Sequence, residues 1–185
     1  MPKIIATKKD WVLLGYQQFS QIGISGLVVE KMAKKLQVNK SSFYWHFKTK
    51  HEFIGAIVNY WIETETLHIT KTTDKEKNIT KKWNAFLKIT FLNYPYLDFI
   101  FHLKRYAQKH PETQKIIDDI DKQRLDYTTN LLQEMGYSAS ESKIKASIFY
   151  KYLIGYHEMI RYKKQSKNYL NEVKKEVQHF IECTI

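Results

Sequence analysis

Residues 37–50, Gln-Val-Asn-Lys-Ser-Ser-Phe-Tyr-Trp-His-Phe-Lys-Thr-Lys, constrain this chain more than any other stretch. They read as a short exposed helix followed at once by the start of a longer one. Asn39 is placed to cap the first helix by accepting a hydrogen bond from an orphan backbone N–H. Lys40, Ser41 and Ser42 fill its opening turn with cationic or small groups able to approach base edges and phosphates. Phe43 and Phe47 stand four residues apart, share a face and would anchor the helix to a core. Thr49-x-x-Glu52 has the spacing of a capping box, which puts Lys50 in the first turn of the next helix. A lysine there opposes the helix macrodipole. An anionic partner explains it better than local stability does.

The preceding residues complete a motif. Val12, Tyr16, Phe19 and Ile22 follow helical spacing between a capping Thr7 and a terminating Gly23. From Val28 to Leu36 a short second helix carries Val29, Met32, Ala33 and Leu36 on one stripe, and Leu36-Gln37-Val38 forms the turn. Two short helices joined by a tight turn, the second polar and exposed, make the helix-turn-helix used to read the major groove. Charge is placed accordingly. Residues 1–50 hold nine lysines against only Asp10 and Glu30, an excess of seven within a chain of formal charge +11. Positive charge concentrated on a candidate reading head is what a polyanion binder requires.

With Phe19, Gly23, Val29, Met32-Ala33, Val38-Asn39-Lys40, Phe43-Tyr44, His46-Phe47 and Lys50 in this spacing, the sequence resembles the TetR/AcrR family of transcriptional regulators. The resemblance covers about the first third at motif level and continues as a similarity of helix order and length. It implies that Lys40, Ser41 and Ser42 face bases, that Tyr44, His46 and Lys50 touch phosphates, and that Trp45 does either. It also implies a homodimer on a palindromic double-stranded DNA operator, with a small-molecule effector bound in the second part of the chain. Two positions depart from the family. Gly15 stands where Ala is usual, which should soften the first helix by about 1 kcal/mol. Val28 stands where a hydroxyl commonly meets phosphate, with Ser25 nearby.

Few Gly (six) and Pro (three) favour long helices throughout. A helix from His51 to about Leu67 follows the motif, and the polar run Lys71–Asn78 reads as a mobile loop. A helix from Ile79 ends at Tyr94-Pro95, where the residue before proline is pushed from the α region. Tyr96 to about Gln108 forms the next, and Pro111 suits the first turn of a long helix reaching Met135, with Gly136 as its stop. Ser138-x-x-Glu141 is a second capping box. The helix it opens is apolar on two faces, as expected of one wedged between its own core and a partner subunit. A last helix begins at Tyr169. The expectation is an all-α protein of about nine helices. Residues 1–49 would form a three-helix DNA-binding domain, and 50–185 a helical ligand-binding and dimerisation domain. Residues 139–162 and 169–184 would form the four-helix dimer interface.

Trp83, Phe86, Phe91, Tyr94, Phe99, Tyr106, Tyr152 and Tyr156, with Arg124, are candidate lining for an apolar or aromatic effector. Plain core packing is the competing reading for each ring. Protein interaction through the second part of the chain is the alternative to effector binding. The seven His show no zinc-ligand spacing. No Gly-rich phosphate loop, G-x-S-x-G or paired-carboxylate arrangement supports an enzyme, and no cofactor is expected. No apolar run is long enough to span a membrane, and a soluble cytoplasmic protein is expected.

Overall fold

The computed structural model describes residues 6–93 and 98–182. All regular structure among them is helical. Helix α1 (Lys8–Ile22) opens with a full capping box, in which Thr7 Oγ1 accepts from the Asp10 N–H and the Asp10 carboxylate accepts from the Thr7 N–H. Those bonds hold the Asp10 carboxyl below its ordinary range. Gly23, at φ 72°, ends α1 in a backbone region that favours glycine. A 3₁₀ turn, Gly23–Gly26, leads to α2 (Val29–Lys35) and α3 (Ser41–His46).

From Lys50 the chain stays helical to Thr73: α4 (Lys50–Ile62), a π-helical turn (Glu63–Leu67) and α5 (His68–Thr73). Helix α6 (Ile79–Thr90) is capped by Asn78, whose side chain accepts from the Lys81 N–H at 3.1 Å. It is followed by α7 (Asp98–Ala107), α8 (Pro111–Glu134), α9 (Ala139–Met159) and α10 (Tyr169–Glu182). Counting Lys50–Thr73 once, the described residues make nine helices, as the sequence predicts. Pro111 is the first helical residue of α8, and Gly136 (φ 101°) turns the chain away at its other end. Ser138 and Glu141 form the second capping box. The predicted break at Tyr94-Pro95 and the helix start at Tyr96 lie outside the described residues.

The stretch expected to be a mobile loop, Lys71–Asn78, is partly helical. Thr73 is fully buried, and Asp74 accepts from the Tyr127 hydroxyl at 2.8 Å and pairs with Lys82 at 3.2 Å. Partners distant in sequence order a segment that lacks periodicity of its own.

The described residues fall into two compact units, one within Met1–Glu65 and Tyr96–Ile117, the other within Thr66–Pro95 and Asp118–Ile185. In the first, Trp11, Phe19, Phe43, Phe47, Phe53, Ile57, Trp61 and Phe99 are almost entirely removed from solvent. Helix α3 is therefore mounted on a core that uses α4 and α7 as well as residues before 50. In the second, Phe86, Leu87, Phe91, Leu132, Phe149, Val173 and Val177 form the core. Lys145 is buried beside it, and its ammonium donates to the Ile181 carbonyl at 2.5 Å, satisfying an end group of α10. No helix among the described residues is long and apolar enough to cross a membrane.

Candidate nucleic-acid interface

Helices α2 and α3 are joined as the sequence predicts, through a turn in which Gln37 takes φ 56° and the Val38 N–H donates to the Ala33 carbonyl. Met32 and Ala33 hold α2 to the core. The start of α3 differs from expectation. Asn39 does not cap it through its side chain. Lys40 is already in the right-handed helical region (φ −58°, ψ −24°), and the Ser42 and Phe43 N–H groups donate to the Asn39 and Lys40 carbonyls. A cap residue needs extended backbone just before the helix. Here a tight backbone turn takes that place and satisfies two end donors.

Residues 40–47, α3 with its two flanking residues, divide into two faces. Inward, Phe43 and Phe47 are 1% exposed and pack against Phe53, with ring centroids 5.1 and 4.8 Å away. Ser42 and His46, expected to meet DNA, also face the domain. The Ser42 hydroxyl accepts from the Trp11 indole N–H at 3.3 Å, and His46 Nε2 bonds the Ala6 carbonyl at 2.8 Å. Trp11 and Ala6 thus help position α3, and sequence alone singles out neither. An indole N–H next to Val12 on an inward helix signals a need for a partner, but not that the partner is Ser42. Outward stand Lys40, Ser41, Tyr44 (57% exposed) and Trp45 (86% exposed).

Lys40 approaches Glu30 only to 4.0 Å, both side chains being exposed, a loose pair that contributes little. At the start of α4, Thr49 Oγ1 accepts from the Glu52 N–H and Glu52 accepts from the Lys48 N–H. Lys50 is exposed in this first turn. The Ser25 hydroxyl, exposed near α2, donates to the Ile22 carbonyl. The arrangement offers cations, a hydroxyl and aromatic surface on one side of a helix whose other side is fixed to the core.

Residues 14–57 match the family model described as bacterial regulatory proteins, tetR family. The matched stretch runs from within α1 into α4 and includes α2 and α3, and over it the chain is similar to that family. The class C tetracycline repressor of Escherichia coli is 29% identical over 69 residues, which are 37% of this chain and 29% of the repressor. The chain thus spans under a third of that relative's length. The transposon Tn10 TetC protein of Escherichia coli is 27% identical over 136 residues, 68% of this chain and 66% of TetC. Among solved structures, a transcriptional regulator from Aquifex aeolicus VF5 superposes with a TM-score of 0.69 at 17% identity, covering 96% of this chain and 98% of its own. AibR, in complex with isovaleryl coenzyme A and operator DNA, gives 0.70 at 14% identity, with 93% and 96% covered. At those identities the likeness is one of fold.

The candidate effector residues separate. Trp83, Phe86, Phe91, Tyr152 and Tyr156 meet in the second unit: Phe149 lies 5.5 Å from both Trp83 and Phe86, and Phe91 lies 5.4 and 5.1 Å from Tyr152 and Tyr156. Phe99 instead belongs to the first unit's core, against Tyr16, Phe19 and Trp61. Tyr106, also in the first unit, stacks on His110 at 3.9 Å. Tyr94 lies outside the described residues.

Arg124 donates twice to Thr66 Oγ1, at 2.8 and 3.2 Å, while Asp121 accepts from Tyr150 at 2.6 Å and Glu134 accepts from Lys82. Burial pushes the Tyr150 phenol up to about 12, with the Asp121 bond adding to that rise and Arg124 opposing it. Tyr152 donates to Glu176, and burial with that bond raises its phenol as well. His157 Nε2–H donates to the Thr90 carbonyl at 2.8 Å. Burial holds its ring below the ordinary histidine range, and Arg124 adds to this. No cluster of three or more His, Cys, Asp or Glu suited to a metal occurs among the described residues.

Proposed function

We propose that this chain is a sequence-specific DNA-binding transcriptional regulator, a homodimeric repressor released from a palindromic operator by a small apolar or aromatic effector. The two-faced reading helix carries the proposal. Its inner side packs on Phe53 and bonds Trp11 and Ala6, while Lys40, Ser41, Tyr44 and Trp45 face outward and Lys50 follows at the next helix start. Phosphate contacts position such a helix and base contacts give it selectivity. One helix buries little, so a pair set about 34–36 Å apart on one face of the duplex is needed.

Dimerisation through residues 139–162 and 169–184 fits the exposed apolar positions of α9. Ile144, Ile148, Ile154 and Met159 are 48, 37, 49 and 74% exposed, more apolar surface than one side of a solvated helix carries by itself. The Trp83–Phe86–Phe91–Tyr152–Tyr156 group is the candidate place for the effector. AibR, of similar fold, has been solved with both isovaleryl coenzyme A and operator DNA. An effector would act by favouring a spacing of the reading helices that no longer fits successive grooves.

The test is selection of duplexes from a genomic library by the purified chain, with affinity followed against salt. A palindrome with half-sites one turn apart is expected. Lys50→Ala should weaken binding to every duplex alike and lower the salt slope by about one. Steep salt dependence without an enriched sequence would overturn the reading.

A further inference from the structure

Trp45 is the outward residue of α3 that the domain uses least. It is 86% exposed, and among the described residues its ring makes no ring contact and no hydrogen bond. Tyr44 differs, because its ring sets an edge against Phe43 at 5.4 Å and leaves it 57% exposed. Helix α3 is short and firmly held at both its inner turns, through Ser42 to Trp11 and through His46 to Ala6. The indole therefore projects from a rigid mount. A large apolar surface held rigidly in solvent gains by being covered.

We propose that Trp45 is a base-reading residue that selects thymine through its C5-methyl group in the major groove. This rests on the DNA-binding reading above. The chemistry of the side chain decides against the alternatives. An indole has one N–H donor and no acceptor, so it cannot form the bidentate pairs by which guanine or adenine is read. Among the four bases, thymine alone shows the major groove an apolar group. A phosphate contact through the indole N–H would use a single ring atom and leave the apolar face uncovered. Lys40 and Ser41 beside it supply the cationic and hydroxyl contacts that phosphates and polar base edges accept. The Trp45 position would then read A·T pairs, and it would do so by contact rather than by groove shape.

The experiment uses the full chain and the duplex recovered by selection from a random library, together with copies in which each thymine in turn is replaced by deoxyuridine. The replacement removes one methyl and leaves every phosphate and hydrogen-bonding atom in place. For the wild type, one thymine per half-site should be sensitive, with affinity falling about fourfold per methyl, as the transfer of one such group from water implies. Trp45→Ala should bind more weakly and show no difference between the thymine and uracil duplexes. Trp45→Phe, which keeps an apolar ring and loses the N–H, should keep the discrimination. A wild type indifferent to every methyl overturns the proposal, as does a Trp45→Ala chain that still discriminates. So does a Trp45→Phe chain that loses discrimination together with affinity, since that pattern belongs to an N–H contact with phosphate. Failure to enrich any duplex would remove the DNA-binding reading itself, and this inference with it. Far-UV circular dichroism of the variants should match the wild type, because Trp45 takes no part in the core.

Discussion

Gly15→Ala sets two known effects against each other at one atom. On the surface of a helix this change would stabilise α1 by about 1 kcal/mol, through helix propensity. Here a Cβ would stand 2.4 Å from Phe53 Cζ and 2.7 Å from Ile57 Cδ1. Neither neighbour can withdraw easily. Phe53 is 0% and Ile57 1% exposed, and the Phe53 ring is held by Phe43 and Phe47. Forcing a methyl into such a core costs about 1–3 kcal/mol, so the net change should be destabilising by up to about 2 kcal/mol.

The glycine and the phenylalanine thus form a pair in which a small residue on α1 makes room for a large ring on α4. Phe53→Leu alone should destabilise by leaving a space. Combined with Gly15→Ala it should cost less than the two single changes together, with a coupling on the order of 1–2 kcal/mol. Urea unfolding followed by far-UV circular dichroism measures all four chains, with shifts in midpoint at constant slope read as stability. A Gly15→Ala chain more stable than the wild type, additive with Phe53→Leu, would refute the packing argument and leave propensity alone at work.

Two further perturbations address the second unit. Lys145→Met keeps the apolar stem but removes the donor from the Ile181 carbonyl, and should lower stability by about 1–3 kcal/mol. An unchanged urea midpoint would mean that the buried ammonium does not matter to the end of α10. His157 links stability to pH. Burial depresses its folded-state pKa below the ordinary histidine value of about 6.5, so below that pH the unfolded chain binds a proton more readily than the folded one. Wild-type stability should be unaffected by this group above pH 6.5 and should fall as pH drops through it. His157→Gln, which retains a donor for Thr90, should flatten the acid limb of the profile, and a parallel profile would count against the assignment.

Much of the architecture could be read from local signals because those signals act over three or four residues. Thr7 with Asp10, Ser138 with Glu141, Pro111 at a helix start and Gly23 and Gly136 at helix ends all behave as their spacing predicts. The Asn39 cap was misread because it depended on the backbone angles of Lys40, which the packing of Phe43 and Phe47 beneath it constrains. The Lys71–Asn78 loop was misread because its order comes from Tyr127 and Lys82, outside its own window.

The sequence alone determined an all-helical chain with a basic helix-turn-helix near its start. Hydrophobic period, turn chemistry and charge placement are properties of neighbours along the chain. Only the tertiary structure decided which polar groups of α3 the domain itself bonds. Ser42 and His46 have the same composition-level credentials as Ser41 and Lys40, yet each is half-buried and bonded within the domain, to Trp11, 31 residues away, and Ala6, 40 residues away. It likewise decided that Phe99 belongs with Tyr16, Phe19 and Trp61, apart from the Trp83–Phe91 group. An aromatic ring states in sequence that it will be buried. Which core it enters depends on helix packing, because burial is favourable in either and only geometry chooses between them.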